Sequence, residues 1–196
     1  MIIKTAKFLV SCSNCEQCPV YELPQIAFVG KSNVGKSSLI NFITNNGKLA
    51  RTSQEPGRTK LINYFLINDN FILVDLPGYG YSKASKSEKE SWAELIDGYL
   101  SNEKRLSHIF LLIDLRRVPS ENDLIMFDYI FKCNLPFTVI ATKADKLSKS
   151  QVSANVRAIA TELKIGEGNI IVTSATTKSG RNEIYNRIDQ ILNNQE

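Results

Sequence analysis

The chain has 196 residues, 43% hydrophobic and 22% charged, proportions that argue against disorder, collagen-like repeats and a disulfide scaffold. Lys and Arg number 24 against 20 Asp and Glu, and the resulting net charge of +4 permits an acidic partner without the excess of a histone or basic tail. The strongest apolar runs, at 71–74 and 109–113, fall far below the roughly 18 residues that cross a bilayer, so no membrane span and no membrane partner are expected. A single histidine, His108, rules out multi-histidine metal sites and leaves a histidine-dependent hydrolase resting on one residue beside an apolar strand, where it reads as a strand-edge residue.

In chain order, Met1 to Val10 intersperses Lys4 and Lys7 among apolar residues and lacks an h-region and a cleavage site, so it does not read as a signal peptide, and a cytoplasmic location is expected. Residues 1–24 are too few for a core of their own and are expected to pack as an extension on one domain of residues 25–196. Within them Cys12, Cys15 and Cys18 form C-x-x-C-x-x-C, one ligand short of a zinc or iron–sulfur site, and read as reduced thiols. The first predicted strand, Gln25 to Val29, runs into Gly30-Lys31-Ser32-Asn33-Val34-Gly35-Lys36-Ser37-Ser38, which satisfies G-x-x-x-x-G-K-[ST] and opens a helix near Lys36. The chemistry needs these residue types. Glycines let backbone N–H groups wrap phosphates, the helix N-terminus adds a positive dipole end, Lys36 is placed to reach the β and γ oxygens, and the Ser37 hydroxyl can ligate Mg²⁺.

Arg51 to Lys60 is polar, carries Pro56 and Gly57 and shows neither period, as expected for a loop ordered by a ligand. Strands Leu61 to Ile67 and Phe71 to Leu76 are joined by Asn68-Asp69-Asn70, too short for a crossover, so one strand should run against the others. Asp75-Leu76-Pro77-Gly78 is a D-x-x-G at a strand end, placing a carboxylate near Mg²⁺ and a glycine amide near a γ-phosphate. A helix is predicted after Ser87, with Glu90 completing a capping box and Trp92, Leu95, Ile96, Tyr99 and Leu100 as its buried stripe.

A strand at His108 to Asp114, a helix at Ser120 to Lys132 and a strand at Phe137 to Thr142 follow. The last of these ends in Thr142-Lys143-Ala144-Asp145. An Asp carboxylate there accepts two hydrogen bonds from guanine N1–H and its 2-amino group, a pair that adenine does not offer, while the Lys143 stem covers the base. A helix at Ser150 to Leu163, a strand at Asn169 to Thr173 and a helix at Arg181 to Leu192 close the chain, with Thr173, Ser174 and Ala175 placed to supply a backbone N–H to the guanine carbonyl. The alternation predicts a three-layer α/β domain: a mostly parallel six-stranded sheet with one antiparallel strand and helices on both faces, binding its ligand at the strands' carboxyl ends.

This ordered set resembles the Ras-like, translation-factor-related GTPases over nearly the whole chain. More narrowly it resembles the EngB family, on Gly30 to Ser38, Pro56-Gly57-Arg58-Thr59, Asn63, Asp75 to Tyr81, Asp114-Leu115-Arg116 with Pro119 and Asp123, and Thr142 to Lys146. The resemblance implies a monomeric GTP/GDP switch with Mg²⁺ held by Ser37, Thr59 and Asp75, and with Lys36, Thr59 and Gly78 serving hydrolysis. Gly57, Arg58 and Thr59 would close over the γ-phosphate, and a second switch would run from Asp75 to about Ser87. It also implies binding to the large ribosomal subunit during assembly, and through that a need for the protein in cell division. Tyr79 stands where Ras-type proteins place a water-orienting glutamine; Asn33 lies where some related GTPases coordinate K⁺, an ion that would supply charge at that point. Lys83, Lys86, Lys89, Arg105, Arg116, Arg117, Lys146, Lys149 and Arg157 are candidate phosphate contacts to RNA. Two other readings stay open: a nucleotide-gated scaffold for a division or other protein partner with incidental hydrolysis, and an ATP-using phosphotransferase, against which Asp145 argues.

Overall fold

The computed structural model describes residues 1–14, 18–50, 61–80 and 85–194. Its strands are β1 (Ala6–Cys12), β2 (Gln25–Gly30), β3 (Ile62–Ile67), β4 (Phe71–Asp75), β5 (Leu106–Asp114), β6 (Phe137–Thr142) and β7 (Ile170–Val172). The helices are α1 (Lys36–Ile43), α2 (Lys86–Asn102), α3 (Glu121–Lys132), α4 (Lys149–Leu163) and α5 (Arg181–Asn193). One seven-stranded sheet has the order β1-β3-β4-β2-β5-β6-β7, and β3 alone runs against the rest, antiparallel to both β1 and β4.

The central strands are apolar throughout because both of their faces are covered. In β5, Ile109, Leu111 and Ile113 pack toward α2, α3 and α4, and the intervening Phe110 and Leu112 pack toward α1 and α5. The same period of two sorts Ile72 and Val74 from Phe71 and Leu73 in β4. The β3–β4 link is a three-residue turn between paired Ile67 and Phe71, with Asn68 and Asp69 at φ of 52° and 53°, the left-handed conformation that Asn and Asp tolerate in tight turns.

Four expectations change. The sheet has a seventh strand, because residues 6–12 of the expected extension pair with β3. Helix α2 begins two residues early: Ser85 accepts the Glu88 N–H at 3.2 Å and the Glu88 carboxylate accepts the Ser85 N–H at 2.8 Å, a capping box equivalent to the expected Ser87–Glu90 pair. Trp92 is half-buried, unlike the rest of its stripe, and its indole N–H donates to the Pro77 carbonyl at 3.1 Å. His108 is not at an edge: β5 lies between β2 and β6, and the ring is buried, bonded through Nε2 to Thr138 Oγ1 at 2.9 Å.

Candidate nucleotide site

β2, β4, β5 and β6 run parallel, so Gly30, Asp75, Asp114 and Thr142 all fall at one end of the sheet. Gly30 leaves β2 where a side chain would have no room, since a Cβ there would sit 2.9 Å from both Leu112 Cβ and Val34 Cγ1. Gly35 caps α1 at φ 108° without a side-chain hydrogen bond, and the first intrahelical bond runs from Leu39 N–H to Gly35 O. The N–H groups of Lys36, Ser37 and Ser38 are therefore the helix's orphan donors, with the positive end of its dipole behind them, as an anion site requires.

Lys36 Nζ bonds Asp75 Oδ1, and both side chains are nearly buried, at 11% and 5% exposure. The sequence placed the lysine at phosphate oxygens and the carboxylate at Mg²⁺, and the fold brings the two together at one point. Asn63 Nδ2 donates to Asp75 Oδ2 at 3.4 Å, and Ser11 Oγ donates to Asn63 Oδ1 at 2.6 Å, so β1 and β3 brace that carboxylate. One carboxylate and one hydroxyl, Asp75 and Ser37, fit the hard oxygen set of a Mg²⁺ that takes its remaining ligands from phosphate and water. Among the described residues no group of three or more His, Cys, Asp or Glu side chains forms an all-protein metal cage. Gly57, Arg58 and Thr59, like Cys15, Tyr81 and Lys83, lie outside the described residues.

Gly78 lies against the phosphate loop, where a Cβ would come within 3.2 Å of Ser32 Oγ and 3.3 Å of Gly30 O. Tyr79 continues this docking with its backbone: its carbonyl accepts from Ser32 N–H at 2.9 Å and Ser32 Oγ at 3.1 Å. Its side chain points away from the site, is only 4% exposed, and donates its hydroxyl to Asp123 Oδ1 at 2.7 Å. Burial, and then the Asp123 charge, push the phenol far above its ordinary range, so it stays protonated.

At the base end, Thr142 Oγ1 donates to the Val34 carbonyl at 2.7 Å and ties the T-K-x-D turn to the phosphate loop. Lys143 is held at φ 66°, with Nζ on Asn33 O at 2.7 Å and on Asp114 Oδ2 at 2.9 Å, which lays its stem across the phosphate loop. Burial raises the Asp114 pKa, but the hydrogen bonds from Arg116 and Lys143 outweigh it and hold the carboxyl well below the usual carboxylate range. Asp145 Oδ1 accepts from Ser174 Oγ at 2.6 Å, the main cause of its lowered pKa, so it is a fixed anion with its other oxygen beside Lys146. Ser174 thus orients the carboxylate through its hydroxyl, a role that sequence reasoning missed. Its own N–H is taken by Ser179 O and that of Thr173 by Ala141 O, so of the three residues expected to offer an amide, Ala175 is the one left to do so.

The candidate RNA-contacting cations divide. Arg116 is committed to Asp114 through two bonds of 2.7 and 2.9 Å. Arg105, Lys146, Lys86 and Arg157 also face carboxylates, whereas Lys89, Arg117 and Lys149 have no ion-pair partner among the described residues. Arg117 and Lys31 line a cleft of about 320 Å³ beside the phosphate loop.

A phosphate-binding loop, a buried Asp75–Lys36 pair and a fixed Asp145 at one end of a mostly parallel sheet define a P-loop GTP-binding domain. A family model described as a 50S ribosome-binding GTPase matches residues 25–143. A probable GTP-binding protein EngB of Caldanaerobacter subterraneus subsp. tengcongensis is 46% identical over 192 residues, covering 98% of this chain and 99% of the relative. One of the same description from Thermoanaerobacter pseudethanolicus is 48% identical over 94% of this chain and 96% of its own. The chain belongs to the EngB family of GTP-binding proteins. The fold is that of a crystal structure of a probable GTP-binding protein engB, with TM-score 0.74 at 23% identity over 87% of this chain and 99% of that one. It is also shared with Era in complex with MgGDPNP and a 16S ribosomal RNA fragment, with TM-score 0.66 at 24% identity over 89% of this chain and 57% of that one.

Proposed function

We propose that this chain is a cytoplasmic, monomeric GTP-hydrolysing switch that binds the large ribosomal subunit during its assembly, and that cell division depends on it through translation capacity. The observation that carries the nucleotide part is the convergence of Lys36, Asp75, Gly78 and Asp145 at one end of the sheet. The ribosomal part rests on the match to a family described as 50S ribosome-binding GTPases. No described helix is long and apolar enough to cross a membrane.

In this reading Asp145, held by Ser174, selects guanine, and Lys143 covers the base. The α1 N-terminus and the phosphate-loop amides from Asn33 to Ser38 bind the diphosphate, and Lys36 moves its charge from Asp75 toward the β and γ oxygens. Ser37, Asp75 and Thr59 would hold Mg²⁺, which when bound would supply positive charge to the phosphate oxygens. Gly57, Arg58 and Thr59 close over the γ-phosphate, and the Gly78 N–H meets it from the other side. Loss of that group on hydrolysis releases both segments, which converts nucleotide state into affinity for the ribosomal particle. Tyr79 does not orient the attacking water, because its hydroxyl is turned into the protein.

Co-sedimentation with ribosomal particles tests the proposal, comparing a non-hydrolysable GTP analogue with GDP at two salt concentrations. Recovery with large subunits only in the GTP-like state, falling as salt rises, is the expected result. Recovery in neither state, with nucleotide binding intact, would favour the scaffold reading.

A further inference from the structure

Asp123 lines the cleft beside the phosphate loop together with Ser120 and Lys31, without a role in the nucleotide site as described, and it is buried, at 6% exposure. Capping α3 occupies only one of its oxygens: Oδ2 accepts the Ser120 N–H at 2.8 Å and the Ser120 hydroxyl at 2.6 Å. The other oxygen takes the Tyr79 hydroxyl at 2.7 Å, a charge-assisted bond away from water and therefore a strong one. Ser120 Oγ also accepts Lys31 Nζ from the phosphate loop at 3.2 Å. Tyr79 returns to the same loop through its backbone, with its N–H on Gly30 O at 3.3 Å and its carbonyl on Ser32. The contacts form a closed ring: phosphate loop, Tyr79 backbone, Tyr79 phenol, Asp123, Ser120 and the phosphate loop again.

Gly78 is joined to this ring through its peptide bond to Tyr79. It lies against the same loop, where an added Cβ would come within 3.3 Å of Gly30 O and Ser32 N, so a shift of the Tyr79 backbone carries the Gly78 amide with it. We propose that Asp123 is a positioning residue for GTP hydrolysis, acting through Tyr79 to set the Gly78 N–H at the γ-phosphate end of the site. This rests on the hydrolysis reading above. The Tyr79 ring, pinned between Asp123 and Trp92, whose ring centroid is 6.1 Å away, serves as a lever between α3 and the backbone that meets the third phosphate. GDP lacks that phosphate and so does not meet the Gly78 N–H on which the lever acts.

The test is single-turnover GTP hydrolysis together with GDP affinity in Tyr79→Phe, Asp123→Ala and the double variant. Each single change is expected to lower kcat by at least about tenfold, since a fraction of an ångström at a preorganised donor costs that much, and to leave KM for GTP and GDP affinity within about threefold. The double variant should be no slower than the slower single one, because both break the same bond. Asp123→Asn keeps an acceptor for Tyr79 but removes the charge that strengthens the bond and turns an NH₂ toward the Ser120 N–H, so it should lower Tm while reducing kcat less than Asp123→Ala does, separating positioning from helix capping. Unchanged kcat in both singles, losses that multiply, or GDP affinity falling in step with kcat would overturn the proposal. A wild-type chain with no turnover would overturn the hydrolysis reading along with it.

Discussion

His108 gives the fold a pH dependence whose size follows from its place in β5. The ring packs against Phe110 at 5.3 Å between centroids, touches Thr138 and lies near Arg187. Burial, then the Arg187 charge, lower its pKa from 6.5 to about 4. The folded state thus holds the imidazole neutral, while the unfolded chain takes up its proton near pH 6.5. Stability is present above that value and is lost as pH falls from 6.5 toward 4. At about 1.4 kcal/mol per pH unit the loss reaches roughly 2 kcal/mol by pH 5 and roughly 3 kcal/mol at pH 4. Urea unfolding of the wild type and of His108→Gln, compared at pH 7, 5 and 4, isolates this contribution, because the titrating carboxylates are common to both proteins. The wild type should lose more stability than the variant by those amounts. Parallel loss in the two would refute the assignment of a neutral, water-excluded ring.

Asp145→Ala removes a charged acceptor that would take two guanine hydrogen bonds, each worth about 1.5–3 kcal/mol; the preference for GDP over ADP, read by fluorescent-nucleotide competition, should fall by about a hundredfold or more. Gly180→Ala places a Cβ 2.7 Å from Thr173 Cγ2 and against the Val172 carbonyl, at φ 84°, and should cost about 2–4 kcal/mol in urea unfolding, whereas Gly168→Ala, with open space around it, should stay within about 0.5 kcal/mol. Hydrolysis in K⁺ should exceed that in Na⁺ by about tenfold or more, still a small part of what an arginine finger supplies; equal rates would remove Asn33 as a K⁺ ligand.

The elements of this fold were legible wherever pattern is local. Apolar runs announce β2, β4, β5 and β6, and the loop between β2 and α1 announces phosphate chemistry, because the residue types of a strand, a glycine turn and a helix start are each set by their own backbone. β1 escaped because Ala6–Cys12 is an edge strand with Lys7 and a half-exposed Phe8 outward, and its partner is far along the chain. The start of α2 was ambiguous because Ser85 and Ser87 each have a glutamate three residues on, and only the surrounding fold decides between them. His108 and Asp123 were opaque for one reason: a polar side chain's meaning depends on what faces it. Thr138 and Tyr79, separated from them by 30 and 44 positions, leave no periodic trace.

The strand order also has a consequence for how the protein is made. β1 emerges before any partner exists: its register, Cys12 on Ile62 through Ala6 on Ile67, needs a strand that leaves the synthesis machinery only after β2 and α1. Until then a segment with the hydrogen-bonding edge of a strand and an outward phenylalanine stands open to any other extended chain. A newly made copy is therefore most prone to stick to its neighbours before β3 appears. Once β3 docks, the same residues cover the sheet edge and, through Ser11 and Asn63, steady Asp75 in the nucleotide site.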